Sequence, residues 1–204
     1  ERVLCQEAGG WQDQIAASFG GLNRINFNTD GTYDVLPVIV SQERKKNLNN
    51  NLLMFFTGFT RFSSDVQKAN ASTKETREAK EKRLREMLSL VDDAENVLTD
   101  KESDLDDFGR LLDHTWKLKR QTGSAVSTDS IDILYEKGIQ AGALGGKLLG
   151  AGGGGFLVFY VRPEHQEAVK RAMKDLMYIP FSFEDGGTRV IHYTPETYIP
   201  LEDK

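Results

Sequence analysis

The stretch that decides the fold reads Lys147-Leu-Leu-Gly150-Ala-Gly152-Gly153-Gly154-Gly155-Phe156-Leu-Val-Phe-Tyr-Val161. Five glycines fall within six positions, and six apolar or aromatic residues follow them. Because glycine has no Cβ, such a run lets backbone amides approach an anion closely. It equally lets one backbone segment pack directly on another. The stretch therefore predicts either a phosphate-binding loop or a tight backbone crossing.

The same glycines satisfy a dinucleotide-binding pattern that their context excludes. Gly150, Gly152 and Gly155 match G-x-G-x-x-G, but that motif follows a strand and opens a helix. Here a helical pattern over residues 131–143 leads into the glycines, and a strand-like run over residues 156–161 leads out. A Walker A loop is excluded too, because no Gly-Lys-Ser or Gly-Lys-Thr follows. The expected order is helix, glycine loop and buried strand.

The composition is that of an ordinary globular protein. The 204 residues are 39% hydrophobic and 28% charged, and the net charge of -5 gives no basic footprint for nucleic acid. Cys5 is the only cysteine, so an internal disulfide is excluded and a reducing, cytoplasmic compartment is expected. No apolar run approaches the roughly 18 residues that a membrane span needs, so no membrane partner is expected.

The first 51 residues predict a helix followed by a β-hairpin. The helix spans residues 11–19, with Asp13 in its first turn, where the helix dipole favours an ionised carboxylate. Strand-like runs over residues 22–27 and 33–40 flank Asp30-Gly31, a strong hairpin signal. Residues 41–51 are polar and rich in lysine and asparagine, which suits a crossing between two domains.

A polar cluster follows the next apolar run, at residues 52–59, which predicts a buried strand. In that cluster, Arg61 has the planar fork that binds a phosphate or a carboxylate. Ser63 and Ser64 supply hydroxyl donors, or alternatively one of them caps the next helix.

The rest of the chain predicts three helices, a strand, a helix and a hairpin. The long first helix, residues 71–98, has one apolar face at helical spacing, formed by Leu84, Met87, Leu88, Val91, Ala94 and Leu98. Ser103 is expected to cap the second helix and Thr128 or Ser127 the third. His114, on the second helix, has no nearby Cys or His partner in the sequence and is expected to be structural, so no metal site is predicted. The last helix begins at Pro163, and a hairpin is expected from residues 179–183 and 189–193. This order predicts an α+β fold, with helices covering one face of a mostly antiparallel sheet.

Two stretches together resemble the GHMP superfamily of small-molecule kinases, named for galactokinase, homoserine kinase, mevalonate kinase and phosphomevalonate kinase. Gly9-Gly10-Trp11-Gln12-Asp13-Gln14 is similar to the segment that carries their catalytic aspartate, and residues 147–155 look like their glycine-rich third motif. Thr60-Arg61-Phe62-Ser63-Ser64 is similar to a polar stretch of the sugar-kinase branch. Within the superfamily, the sequences of residues 11–14 and 142–155 most resemble those of the D-glycero-D-manno-heptose 7-phosphate kinases.

The resemblance implies two domains and an incomplete kinase. Residues 1–46 would be the remainder of the N-terminal domain, and residues 47–204 a ferredoxin-like C-terminal domain. The superfamily's earlier Pro-x-x-x-Gly-Leu-Gly-Ser-Ser-Ala motif, which holds the nucleotide phosphates, has no counterpart here. Since the chain also begins with Glu1 rather than Met, we expect the C-terminal part of a longer kinase, inactive by itself.

The resemblance also implies a chemistry and a set of site residues. ATP with Mg²⁺ would donate its γ-phosphoryl group to a sugar hydroxyl, the anomeric one for the heptose. Asp13 would orient that hydroxyl and accept its proton, with a helix-cap role as the alternative. The loop Gly150, Ala151, Gly152, Gly153, Gly154 and Gly155 would lie beside the transferring phosphoryl group. Arg61 would hold the sugar's own phosphate, with Ser63, Ser64 and Lys147 as further contacts unless Lys147 simply faces solvent.

Two other functions remain open at this point. The acceptor can be another sugar, such as fucose or galactose. Alternatively, the chain is a non-catalytic ferredoxin-like module that binds a metabolite or a partner, with glycines that serve packing. In each case the expected ligand is a small molecule or a protein, and homo-oligomers are possible because a hairpin that lacks a sheet exposes strand edges.

Overall fold

The structure is a computed structural model that describes residues 10–58, 76–123, 125–150 and 152–193. Within these ranges it contains six helices and six strands. The helices are α1 (Gln12–Phe19), α2 (Gln42–Asn50), α3 (Arg77–Thr99), α4 (Asp106–Arg120), α5 (Asp129–Gln140) and α6 (Pro163–Ala172). The strands are β1 (Asn23–Phe27), β2 (Tyr33–Pro37), β3 (Leu52–Phe56), β4 (Gly145–Leu148), β5 (Phe156–Tyr160) and β6 (Met177–Ile179).

The chain divides into two compact units. The larger comprises Glu1–Gly10 and Val38–Ser182, and the smaller comprises Trp11–Pro37 and Phe183–Lys204. This division reflects contacts within the structure and does not test where the kinase domains begin and end. The predicted domain boundary between residues 46 and 47 therefore stays a prediction.

The small unit contains α1 and the predicted hairpin. Strands β1 and β2 pair antiparallel, which confirms the hairpin prediction. Asp30 accepts hydrogen bonds from the backbone amide and the hydroxyl of Thr32, at 2.9 and 2.6 Å, and these bonds lower the pKa of its carboxyl. Gly31 has φ +86°, a conformation that L side chains rarely adopt. The turn is therefore specified locally, as expected from the sequence.

The large unit is built on a four-stranded sheet in the order β4-β5-β3-β6. Every neighbouring pair is antiparallel, and Leu52 of β3 stands opposite Tyr160 of β5. Helices pack on this sheet around a core that includes Trp116, Tyr135 and Phe159, all at most 1% exposed. The architecture confirms the α+β fold of helices on a mostly antiparallel sheet.

Glycines set how closely the helices approach the sheet. A Cβ on Gly109 of α4 would lie 2.7 Å from the ring of Tyr160, and one on Gly138 of α5 would lie 2.5 Å from the ring of Phe159. A Cβ on Gly145 of β4 would lie only 1.9 Å from the carbonyl oxygen of Gly109. The closest helix-to-strand crossing in this group thus depends on Gly145, outside the glycine-rich loop.

Two predicted helix caps have different outcomes, and residues 41–51 form a helix. These residues, which suit a crossing between two domains, form α2, whose first turn is capped by Ser41 through a 3.2 Å bond from the amide of Arg44. Ser103 does not cap α4, because its hydroxyl donates to Asp100, and Asp104 accepts the amide of Asp106 instead. Thr128 does cap α5, as one of the two predicted alternatives.

The predicted C-terminal hairpin is also absent from the described residues. Met177–Ile179 forms β6, an edge strand of the main sheet, and residues 189–193 form no strand. Instead, Glu184 and Thr188 bond to the segment around α1 within the small unit. The amide of Gly21 donates to the carbonyl of Glu184, and the amide of Thr188 donates to the carbonyl of Ser18. The Asp-Gly-Gly signal at residues 185–187 therefore does not mark a hairpin turn between paired strands.

The long helix α3 points its apolar residues in a different direction from the predicted one. The expected inner face was Leu84, Met87, Leu88, Val91, Ala94 and Leu98. Of these, Leu98 is buried, but Leu84, Leu88 and Val91 are exposed, whereas Leu90 and Arg83 are buried. Among the described helices, none combines the length and apolar character that a membrane span requires.

Candidate active site

The glycine-rich loop joins two antiparallel strands, and this corrects the expected context. The sequence predicted a helix running directly into the loop. In the structure, β4 lies between α5 and the loop, so the order is helix, strand, loop and strand. The amide of Leu149 donates to the carbonyl of Phe156 at 2.8 Å and closes the base of this connection. The loop is therefore presented at the end of a β-hairpin, and Ala151 lies outside the described residues.

Gly152 serves packing. It has φ +121°, and a Cβ there would lie 2.7 Å from the Cα of Val126 and 2.8 Å from its carbonyl oxygen. The next amide, that of Gly153, donates to the same carbonyl at 3.0 Å. Val126 is itself 1% exposed. One side of the loop is thus held against the segment between α4 and α5, as the packing interpretation of the glycines required.

Gly150 lies on the other side, in open space. Its φ is +87°, and a Cβ built there would meet no atom within 4 Å. In the described part of the chain, the amides of Gly152 and Gly154 donate to no protein acceptor. Open surroundings and amides without a protein acceptor are what a backbone anion site requires. The loop therefore combines packing at Gly152 with an accessible edge.

Thr57 fixes the far end of the loop. The amide of Gly155 donates to the Thr57 hydroxyl at 3.2 Å, and the hydroxyl and amide of Thr57 both donate to the Gly155 carbonyl at 2.9 Å. Thr57 is 4% exposed, so these bonds are shielded from water. Because β3 ends at Phe56, the end of this strand is tied to the loop through Thr57. The predicted contacts Arg61, Ser63 and Ser64 follow Thr57 in the sequence. Those three residues lie outside the described ranges.

Lys119, in the last turn of α4, reaches the loop from a second direction. Its side-chain amine donates to the carbonyl of Gly150 at 2.7 Å. Neighbouring residues line an open depression of about 530 Å³. They are Lys117, Arg120, Gln121, Gly123, Ser127 and Asp132. Asp132 accepts hydrogen bonds from Arg120 at 3.0 Å and from Ser127 at 2.7 Å. Cationic side chains thus gather beside the segment that carries Val126.

Lys147 is placed in β4, opposite Val158 of β5. It is partly buried, and burial lowers the pKa of its side-chain amine because the charged form is poorly solvated. Its role in holding a sugar phosphate stays a prediction.

Asp13 lies in the small unit, in the first turn of α1, where it is exposed. Trp11 occupies the N-cap position and makes no side-chain cap bond, so Asp13 is not the N-cap residue. The Trp11 and Tyr33 rings pack edge to face, with centroids 6.1 Å apart, and join α1 to the hairpin. The catalytic role of Asp13 stays a prediction.

Comparison with known proteins identifies the large unit. Residues 93–179 match the model of the family described as "GHMP kinases C terminal". The chain contains a GHMP kinase C-terminal domain. It is 31% identical over 187 residues to a D-glycero-alpha-D-manno-heptose 7-phosphate kinase of Campylobacter jejuni, covering 89% of this chain and 53% of that protein.

Two further relatives support the same family. A solved D-glycero-D-manno-heptose 1-phosphate kinase from Bacteroides thetaiotaomicron is 26% identical, with a TM-score of 0.66, and the match covers 92% of this chain and 50% of that one. A bifunctional fucokinase/GDP-fucose pyrophosphorylase of Arabidopsis thaliana is 28% identical over 75% of this chain and 14% of its own length. The chain spans about half the length of the two heptose phosphate kinases.

Two residues that contact the glycine-rich loop were missed by the sequence analysis. Thr57 has a weak signal, since a lone threonine between an apolar run and Gly58 also suits a strand end. Lys119 has none, because it is one of several basic residues at the end of α4, where the helix dipole favours cations in any case. Only the tertiary structure separates it from Lys117, which pairs with Asp113 at 2.6 Å.

Proposed function

We propose that this chain forms the C-terminal part of an ATP-dependent kinase that phosphorylates a sugar hydroxyl, namely the anomeric hydroxyl of D-glycero-D-manno-heptose 7-phosphate. The supporting observation is the glycine-rich loop at the end of the β4–β5 hairpin, which has open space at Gly150 and, among the described residues, two amides without a protein acceptor, those of Gly152 and Gly154. The heptose phosphate kinases among the relatives give the substrate class. In this proposal, residues 1–46 complete an N-terminal domain and residues 47–204 form the C-terminal domain.

The loop would lie beside the transferring phosphoryl group. The amides of Gly153 and Gly155 are engaged with Val126 and Thr57, so they fix the shape of the loop. Those of Gly152 and Gly154 are the donors left for oxygen atoms of the phosphoryl group. Phosphoryl transfer depends mainly on positioning and charge stabilisation, which rigid amides supply. Mg²⁺ would enter with ATP and reduce the charge of its phosphates.

Asp13 would act on the acceptor. The bond from the γ-phosphorus to the β-phosphate oxygen breaks as the sugar oxygen attacks, ADP leaves, and the hydroxyl proton passes to the Asp13 carboxylate. An ionised carboxylate is a weak base toward an alcohol, so Asp13 orients the hydroxyl and accepts its proton late. Arg61, with Ser63 and Ser64, would hold the sugar's own phosphate. Lys147 is the weaker candidate for that contact, because its burial disfavours the charged form.

A different acceptor is the second candidate. The similarity to the Arabidopsis bifunctional fucokinase supports a kinase for fucose or a related sugar.

The decisive experiment uses the complete protein with ATP and each of three acceptors: heptose 7-phosphate, fucose and galactose. We expect ADP release with heptose 7-phosphate, and a new anomeric phosphate in the ³¹P NMR spectrum of the product. Turnover of galactose or fucose but not of the heptose would reject our first acceptor, and silence with all three would favour the non-catalytic module.

The role of Asp13 needs a matched pair of variants. Asp13→Asn should lower kcat by at least about 100-fold, because it removes the proton acceptor. Asp30→Asn removes a different carboxylate, in the hairpin turn of the same unit, and should leave kcat unchanged. Equal turnover of Asp13→Asn and the unaltered protein would remove the catalytic role.

A further inference from the structure

The helix α3 carries an apolar stripe that the domain does not bury. Leu84, Leu88 and Val91 are 48%, 63% and 44% exposed, and they recur at the spacing of one helix face. The helix is held to the rest of the unit from another side, where Leu90 is 9% exposed. At 100° per residue, Leu90 lies roughly 130° around the helix from the centre of this stripe. We call Leu84, Leu88 and Val91 the α3 stripe.

The charges along α3 run against the preference of the helix itself. From residue 77 to residue 85 there are five basic and two acidic residues, whereas from residue 86 to residue 99 there are four acidic and no basic residues. A helix dipole favours the opposite arrangement, with acidic residues near the N-terminus and basic ones near the C-terminus. This distribution therefore does not serve the isolated helix. Arg83 is buried and Glu86 pairs with His114 of α4 at 2.7 Å, and the remaining charges still make α3 electrostatically complementary to an antiparallel copy of itself.

We propose that two copies of this chain associate through antiparallel α3 helices along the α3 stripe. A two-fold axis that passes beside Leu88 places Leu84 of one copy opposite Val91 of the other. The same axis places Lys80 opposite Glu95, and both residues lie within about 40° of the stripe at 100° per residue. One register thus satisfies the apolar and the charged positions together, as an isologous interface requires.

The groove beside the stripe fits this arrangement. It has a volume of about 480 Å³, and Leu84 and Leu88 line it together with Arg77, Lys80 and an Arg85–Glu81 ion pair of 2.7 Å. The two-fold partner brings an apolar residue to the leucines and an acidic helix end to the basic rim. Only one helix face is involved, so the interface is small and its affinity is micromolar or weaker.

Sedimentation velocity of the complete protein, from about 1 to about 300 μM, tests this proposal. A reversible monomer–dimer equilibrium is expected in that range, and Leu88→Glu should abolish it because the carboxylate would be buried at the two-fold axis. Ile133→Glu is the matched control, since Ile133 is 57% exposed on α5 and should leave the equilibrium unchanged. A monomer at every concentration, or equal loss with both variants, overturns the proposal.

A charge exchange tests the register. Lys80→Glu and Glu95→Lys should each weaken dimerisation by roughly 3- to 30-fold, because each dimer contains two such exposed pairs that become repulsive. The double variant Lys80→Glu/Glu95→Lys should restore the original dissociation constant within about threefold. If the double variant is as weak as the single ones, the two residues are not partners and the register is wrong.

Disulfide trapping distinguishes this interface from any other dimer. In a Cys5→Ser background, Leu88→Cys should form a covalent dimer under mild oxidation, because the two sulfur atoms meet at the axis. Ser89→Cys, one residue along and pointing away from the stripe, should form little. A dimer that both variants trap equally, or that neither traps, overturns the α3 pairing. None of these outcomes depends on the kinase activity proposed above.

Discussion

Lys119 donates a hydrogen bond from its side-chain amine to the backbone carbonyl of Gly150, with 2.7 Å between the two atoms. Gly150 is at the open edge of the loop, where no other atom would touch a Cβ. On that edge, the bond restrains a glycine that packing leaves free.

Lys119→Met should therefore loosen the loop without unfolding the domain. The bond is exposed, so the free energy of unfolding should change by less than about 1 kcal/mol. Amide hydrogen exchange in residues 149–155 should become faster, and in the complete enzyme kcat should fall by about tenfold. Lys137→Met, at an exposed lysine near the end of α5, is the control and should change neither quantity. Unaltered exchange in the Lys119→Met loop would show that packing alone holds Gly150.

The two glycines on opposite sides of the loop should respond differently to alanine. Gly152→Ala adds a Cβ 2.7 Å from the Val126 Cα at φ +121°, so strain and overpacking together should cost about 3 kcal/mol. Gly150→Ala has open space and should cost about 1 kcal/mol from its positive φ alone. Urea unfolding of the two variants measures the difference. Similar losses would contradict the packing role of Gly152.

Lys147 should make stability depend on pH on the alkaline side. Burial lowers the folded-state pKa of this amine below the unfolded-state value of about 10.4. Between the two values the unfolded chain binds more protons, so the free energy of unfolding rises with pH in that window. Lys147→Met should remove this rise and increase stability at pH 7, as measured by urea unfolding at several pH values.

The same Lys147→Met variant also examines the sugar-phosphate contact. If Lys147 binds that phosphate, KM for the sugar phosphate should increase by at least about tenfold in the complete enzyme. An unchanged KM together with higher stability would assign Lys147 a structural position only.

Arg162 neutralises a buried carboxylate at the start of α6. Asp106 is 6% exposed, and the Arg162 guanidinium both hydrogen-bonds to it and pairs with its charge, which raises the pKa of Arg162. Arg162→Met should lower the free energy of unfolding, because it leaves the buried Asp106 carboxylate without its charge partner. Arg110→Met, which breaks an exposed pair with Asp107, should cost about 0.5 kcal/mol or less. Equal losses in urea unfolding would mean that Asp106 is better solvated than its burial indicates.

Local sequence signals predicted the elements that are specified by neighbours in the chain. The β1–β2 hairpin follows from Asp30 and Gly31, whose side-chain bond and positive φ are properties of the turn itself. The helix α6 follows from Pro163, and β5 from its continuous apolar run. The glycine-rich loop, the α+β order and the family resemblance were likewise readable, because each depends on residue types at short spacing.

Long-range contacts decided the rest. Gly145 and Gly146 are poor strand formers, yet they belong to β4, because their lack of Cβ atoms lets α4 and Phe159 approach the sheet. The apolar period of α3 identified a helix but not its buried side, since Leu84 and Leu90 are both leucines and only packing against α4 chooses between them. Lys119 and Thr57 are ordinary in the sequence, and they contact the glycine loop only because the chain brings positions 31 and 98 residues apart together. The sequence by itself determined the glycine-rich loop, the β1–β2 hairpin and the α+β order, whereas the tertiary structure decided which residues hold that loop, because those contacts exist only after non-local packing.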